Sequence, residues 1–242
     1  MANRTITAWM DAAGSQGPRP AGTPVAFVAR MAAGKQAVGE LLIYDEIAWY
    51  AITSASIAAA LADLQKQGAS ELHVYVNSPG GDVFEGVAIY NSLRRFAGRK
   101  TVFVDGLAAS MASVIAMAGD RIVTAPNAMW MVHNPWSIVA GDGAALRARA
   151  DLLDELAKSC VSAYAARTGR SADELKGWMD AESWMGPEVA LARGFTDEIA
   201  PEALSSSAEA SAPDLWPTLA KFKSAPPEAL RLLSIRASAR TP

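Results

Sequence analysis

From Val25 to Ile199 the chain alternates between short runs with strand periodicity and longer runs with helical spacing, and this order constrains the fold more than any other feature. Val25-Ala-Phe-Val28 and Gly39-Glu-Leu-Leu-Ile-Tyr44 read as strands. A helix follows, capped by Thr53 or Ser54 and carrying Ile57, Leu61 and Leu64 on one side. Glu71-Leu-His-Val-Tyr-Val76 alternates as a strand, Asn77-Ser-Pro-Gly-Gly81 interrupts it, and Val83, Val87, Ile89, Tyr90 and Leu93 mark the next helix. The unit recurs: Lys100 to Val104 as strand, Asp105-Gly106 as turn, Ala108 to Ala118 as buried helix, then strands at Arg121 to Thr124 and Met129 to His133. Strands alternating with helices require crossover connections, so an α/β fold with a largely parallel sheet is expected.

After Asn134-Pro135 the pattern predicts a long helix from Gly143 to Arg167, stopped at Thr168-Gly169. It exceeds what a core of this size needs. A short helix from Ser171 to Met179, the segment Asp180-Ala-Glu-Ser-Trp184, and a helix between Pro187 and Gly194 complete the unit near Ile199. Three regions follow: a Gly/Pro-rich N-terminal arm over residues 1–22, one domain over 23–200, and a Ser/Ala/Pro-rich extension over 201–242 with amphipathic pieces at Leu215 to Phe222 and Leu230 to Ile235.

Composition narrows the function. A hydrophobic fraction of 51% over 242 residues can furnish one large core. The net charge of -3, with its 22 Lys and Arg residues scattered, gives no basic footprint, so nucleic acid is not expected as a ligand. Met1 to Gly14 lacks an apolar signal core, and the longest apolar run, near Leu107 to Ala118, is too short to span a bilayer. With Cys160 as the sole cysteine, no intrachain disulfide can form, and a soluble cytoplasmic protein without a membrane partner is the expectation.

Candidate chemistry gathers at strand ends. Gly106-Leu-Ala-Ala-Ser110-Met-Ala-Ser113 sets a hydroxyl between a strand and an apolar helix, flanked by small residues. A nucleophilic serine needs such a place, because unpaired N–H groups at a helix start can stabilise an oxyanion; a serine merely capping a helix would look the same. Of the two histidines, His73 lies mid-strand on the face opposite Leu72 and Val74, which suits a surface or inter-element contact. His133 ends an apolar strand, the edge where α/β sites collect. The Asn77–Gly81 loop can present backbone N–H groups but lacks the Lys-Ser/Thr of a phosphate loop. Ser113 lies one helical turn beyond Ser110, where its hydroxyl is expected to bond a backbone carbonyl. Met111, Met117, Met129 and Met131 read as core or pocket lining; no cofactor and no metal are implied.

Together these segments resemble the Clp protease proteolytic subunit family, ClpP, and within it the ClpP-like head maturation proteases of phages and prophages. The resemblance rests on Val76-Asn-Ser-Pro-Gly-Gly-Asp-Val-Phe-Glu-Gly86, Asp105-Gly-Leu-Ala-Ala-Ser-Met-Ala-Ser113, Met131-Val-His-Asn-Pro-Trp136, Met179-Asp-Ala-Glu-Ser-Trp-Met185 and Gly194-Phe-Thr-Asp197, in the family's order over about residues 37–200. It implies a ClpP/crotonase-like fold of repeated ββα units with a protruding handle helix at Gly143 to Arg167. It also implies a serine endopeptidase with Ser110 as nucleophile, His133 as general base, and the N–H groups of Gly81 and Met111 as oxyanion hole. For the third triad member the family position aligns best with Glu182, with Asp180 two residues earlier; an extended segment would point both to one side. Implied partners are a polypeptide substrate, including phage capsid or scaffold proteins, further copies of the chain in a ring, and an AAA+ unfoldase, although no segment matches the one by which ClpP engages it. Two other readings fit the same fold: a catalytically inactive capsid-assembly or scaffold protein, and a crotonase-type acyl-CoA hydratase or isomerase, which would not need Ser110 and His133 together.

Overall fold

The computed structural model describes residues 27–32 and 37–201. The expected arm, the extension beyond Pro201 and its two amphipathic pieces lie outside the described residues. The strands are β1 (Phe27–Met31), β2 (Val38–Ile43), β3 (Glu71–Ser78), β4 (Arg99–Ala109), β5 (Arg121–Thr124), β6 (Met129–Val132), β7 (Ser183–Met185) and β8 (Glu198–Ile199). The helices are α1 (Ser54–Lys66), α2 (Val83–Arg95), α3 (Met111–Ala116), α4 (Gly143–Thr168), α5 (Ala172–Asp180) and α6 (Pro187–Arg193). The sheet runs β1-β2-β3-β4-β5-β8, with β6 beside β4 and β7 beside β6. Pairing is parallel except for β1 with β2 and β6 with β7. This is the mixed α/β architecture expected of a ClpP-like fold.

The local sequence accounts for most boundaries. Thr53 caps α1 by accepting from the Ser56 N–H, and Ser171 caps α5 in a reciprocal box with Glu174. Gly169 and Gly194 end α4 and α6 in the left-handed conformation. On β3, Leu72, Val74 and Val76 face the core, where Ile57, Leu61 and Leu64 of α1 and Ile89 and Leu93 of α2 cover them. His73 and Tyr75 take the other face: the His73 ring meets Phe103 edge-on at 5.3 Å, and both border an open concavity of about 450 Å³ with Arg30 and Glu40. Among the described residues no helix is long and apolar enough to cross a membrane.

Two segments depart from the periodicity. The strand expected over Lys100 to Val104 continues to Ala109, so Ala108 and Ala109 are strand rather than helix, and Asp105-Gly106 is an irregularity within it rather than a turn. Val76 pairs with Val104 and Ser78 with Ala108, so β4 spends extra residues there. The consequence is functional. The first half of β4 pairs with β5 and the second half with β6, which brings the ends of β4 and β6 together. Second, Asp180 closes α5 and Ala181 is helical, so residues 180–184 are not one extended run. The α4 helix, 26 residues and about 39 Å long at 1.5 Å per residue, buries only Cys160, Ala163 and Tyr164, all near its C-terminus. Ala157, Val161 and Ala165 pack against the core beside them, and the N-terminal half of the helix is largely exposed.

Candidate active site

Three strand ends supply the site. Ser110 follows β4 with φ 52° and ψ −126°, a conformation a non-glycine residue adopts at a cost of about 1–3 kcal/mol. Neighbours hold it there: its N–H donates to the Met131 carbonyl at 2.9 Å, and its own carbonyl accepts from the N–H and the hydroxyl of Ser113. The Ser110 side chain makes no capping bond to α3. Instead its Oγ lies 2.7 Å from Nε2 of His133, so the capping role that the sequence allowed is not the one it plays.

His133 is the residue after β6. The antiparallel register pairs Trp130 with Met185, Met131 with Trp184 and Val132 with Ser183, and one further step sets His133 across from Glu182. Burial pushes the imidazole below its ordinary value, and the Glu182 carboxylate pulls it partly back. Glu182 itself sits at φ 47°, a left-handed turn between α5 and β7. Asp180 is committed elsewhere. Its carboxylate is exposed, takes two contacts from Lys176 Nζ and accepts from Asn134 Nδ2 at 2.8 Å, and these partners hold it below the usual carboxylate range. The two candidate carboxylates thus stand in different environments, and Glu182 is the one whose charge reaches the imidazole.

The third strand end is the loop after β3. Gly80 and Gly81 have φ +88° and +143°, and the loop is laced to the β2–α1 connection: Ile47 N–H donates to Gly80 O, and Asp82 N–H to Ile47 O, each at 2.7 Å. A Cβ on Gly80 would lie 2.8 Å from Ser110 Cβ and 2.7 Å from Met111 N, so only glycine lets this backbone approach the serine so closely. Met111 opens α3, where the N–H has no carbonyl one turn earlier to meet. The Gly80-Gly81 loop, Met111, Ser110 and His133 therefore meet at one edge of the sheet, with Gly80 the glycine that lies directly against Ser110 and Met111.

Beside Ser110 and His133 a cavity of only about 10 Å³ remains, lined by Val83, Met111, Val114, Pro135, Cys160 and Tyr164. Burial pushes the Cys160 thiol up to about 11, which leaves it protonated near neutrality and a poor rival nucleophile. Met111, Met117 and Met131 are buried, and Met129 packs against Leu107 and Ala109. Two contributors carry no sequence signal: Ile47, whose backbone anchors the glycine loop, and Tyr164, whose hydroxyl lies 2.8 Å from Ser113 Oγ.

Comparison with known proteins agrees with this architecture. Residues 37–203 match the family described as Clp protease. The chain is 33% identical over 147 residues to the ATP-dependent Clp protease proteolytic subunit of Deinococcus radiodurans, covering 60% of this chain and 72% of that protein. It is 31% identical over 177 residues to ATP-dependent Clp protease proteolytic subunit 1 of Leifsonia xyli subsp. xyli, covering 69% and 89%. The family match takes in all three strand ends and both candidate carboxylates, and the chain belongs to the Clp protease family.

Proposed function

We propose that this chain is a serine endopeptidase that cleaves peptide bonds through an acyl-enzyme on Ser110. The observation that carries the reading is the 2.7 Å approach of Ser110 Oγ to His133 Nε2. With the imidazole held below its ordinary value, the neutral ring predominates at pH 7 and its Nε2 lone pair can accept the serine proton. Oγ then attacks the scissile carbonyl carbon, and the carbonyl oxygen becomes an oxyanion opposite the N–H groups of Gly81 and Met111. The C–N bond breaks as His133 returns the proton to the leaving amine, giving an ester on Ser110. Water, deprotonated by the same nitrogen, hydrolyses that ester and restores the hydroxyl. Glu182 is the proposed third member, stabilising the imidazolium formed in each half-reaction; Asp180 is not.

The proposed working form is a homo-oligomeric ring, in keeping with the exposed length of α4 and the apolar surface at Trp136, Ile138 and Leu146. The proposed setting is the bacterial cytoplasm, in maturation of a phage or prophage head, with capsid or scaffold polypeptides as substrate; the likeness of the Ser110 and His133 motifs to those proteases supports it. Incubating the assembled protein with a fluorophosphonate probe, against Ser110→Ala, tests the reading. Labelling of wild type and none of the variant is expected, and absence of Ser110-dependent labelling overturns it.

A further inference from the structure

The carbonyl of Ser110 and the N–H of Met111 belong to one peptide unit. That unit is planar and trans, so the two groups point in opposite directions and whatever fixes one aims the other. The carbonyl is held by two donors, the Ser113 N–H at 3.0 Å and the Ser113 hydroxyl at 2.5 Å. A carbonyl only accepts, so the single proton of Ser113 Oγ points at Ser110 O. The 2.8 Å contact between Ser113 Oγ and the Tyr164 hydroxyl must then carry the tyrosine proton. A directed chain results: Tyr164 O–H to Ser113 O–H to Ser110 C=O.

Both hydroxyls are shut away from water, Ser113 at 0% and Tyr164 at 2% exposure. Burial pushes the Tyr164 phenol up, so it stays a donor at any working pH. The tyrosine is fixed at its other end by packing on Phe195, ring centres 5.4 Å apart, which in turn meets Trp130 of β6. In a dry interior a hydrogen-bond chain polarises its members in one direction, and electron density drawn toward Ser110 O leaves the Met111 N–H a stronger donor. Neither residue touches the reacting atoms.

We infer that Ser113 and Tyr164 are positioning residues that aim and polarise the 110–111 peptide so that the Met111 N–H meets the developing oxyanion. The inference rests on the peptidase reading above and adds a reason for a hydroxyl pair that this reading does not use. It also ties the proposed oxyanion donor to α4, whose C-terminal half packs in the core while its N-terminal half is exposed.

The test uses assembled wild type, Ser113→Ala, Tyr164→Phe and the double variant, with a short fluorogenic peptide amide as substrate and active sites titrated by fluorophosphonate. Per titrated site, kcat is expected to fall about tenfold in Ser113→Ala and about threefold in Tyr164→Phe, a fraction of what deleting an oxyanion donor costs. KM should stay within twofold. A peptide boronate, which mimics the tetrahedral state, should lose affinity in parallel with kcat, while the matching peptide carboxylate should not. Because Tyr164 acts through Ser113, the double variant should be no slower than Ser113→Ala. The acid limb of the pH profile should not move, since His133 is untouched. Lost folding alone would lower the titrated site count and the melting temperature but leave kcat per site unchanged, and that result overturns the inference while leaving the peptidase reading intact. Absence of Ser110-dependent labelling in wild type overturns both.

Discussion

Replacing Gly81 by alanine should nearly silence the enzyme. A Cβ at Gly81 would lie 2.0 Å from the Ile47 carbonyl oxygen and 2.9 Å from its carbon, far inside van der Waals contact. Neither side can yield alone, because Ile47 is bonded through its N–H to Gly80 and through its carbonyl to Asp82. The loop must shift by more than about 1 Å, and misplacement of that size in a catalytic constellation can cost about a hundredfold. The backbone adds to this: φ of +143° is open to glycine and costs other residues about 1–3 kcal/mol. With one oxyanion donor displaced, kcat should fall about 10²- to 10³-fold, roughly 3–4 kcal/mol of transition-state stabilisation. Thermal unfolding and peptide hydrolysis per titrated site would separate the two effects. Gly177→Ala is the control: Gly177 lies in α5 with nothing within 4 Å of an added Cβ, so the variant should gain about 0.5–1 kcal/mol of stability and keep its activity. Gly81→Ala within threefold of wild type would refute the assignment of this loop to the oxyanion.

The pH profile offers a second check. Burial disfavours the imidazolium of His133, so the neutral, reactive form persists to lower pH than in an ordinary imidazole, and the acid limb of kcat/KM should lie below about 6.5. Glu182 opposes that shift, so Glu182→Gln should move the limb further down while lowering kcat by about 10³-fold or more through loss of the orienting carboxylate; a limb that rises or stays put contradicts the coupling. Asp180→Asn should change kcat less than twofold, and a large loss would transfer the third role to Asp180. At Ser110 itself both Ala and Gly abolish hydrolysis, but Ser110→Gly should unfold about 1 kcal/mol later than Ser110→Ala in denaturant titration, because glycine accepts φ 52°.

Much of this architecture is visible in residue order, since Glu71 to Val76 alternates as a half-buried strand must, Arg121 to Thr124 is a short run holding β-branched residues, and Gly169 and Gly194 mark helix ends. The misreading of Ala108 and Ala109 has a physical origin. Glycine and alanine carry little strand preference, and the run from Leu107 to Ala118 is apolar except for Ser110 and Ser113, so no change of periodicity shows where extended backbone turns helical. The turning point is Ser110, and what forces it is tertiary: Ala109 pairs with Met131, while the Ser110 N–H reaches the Met131 carbonyl. The choice between Glu182 and Asp180 was likewise open in the sequence. It depends on α5 running through Asp180 and on the register between β6 and β7, neither of which two-residue spacing encodes. Ser113 and Tyr164 are 51 positions apart, and no periodicity joins them.

These tertiary ties explain how a strained serine can persist. The cost of φ 52° is offset by bonds that reach both sides of the residue: the Met131 carbonyl from β6 on its N–H, and the Ser113 hydroxyl on its carbonyl, itself backed by Tyr164 from α4. The same β6 delivers His133, and the β7 strand paired to it delivers Glu182. The proposed nucleophile, base and orienting carboxylate therefore share one packed unit built on Trp130, Tyr164 and Phe195 rather than three independent loops. A shift of α4 at Tyr164 would reach the Ser110 carbonyl through the Ser113 hydroxyl, and so the proposed oxyanion donor in the same peptide unit.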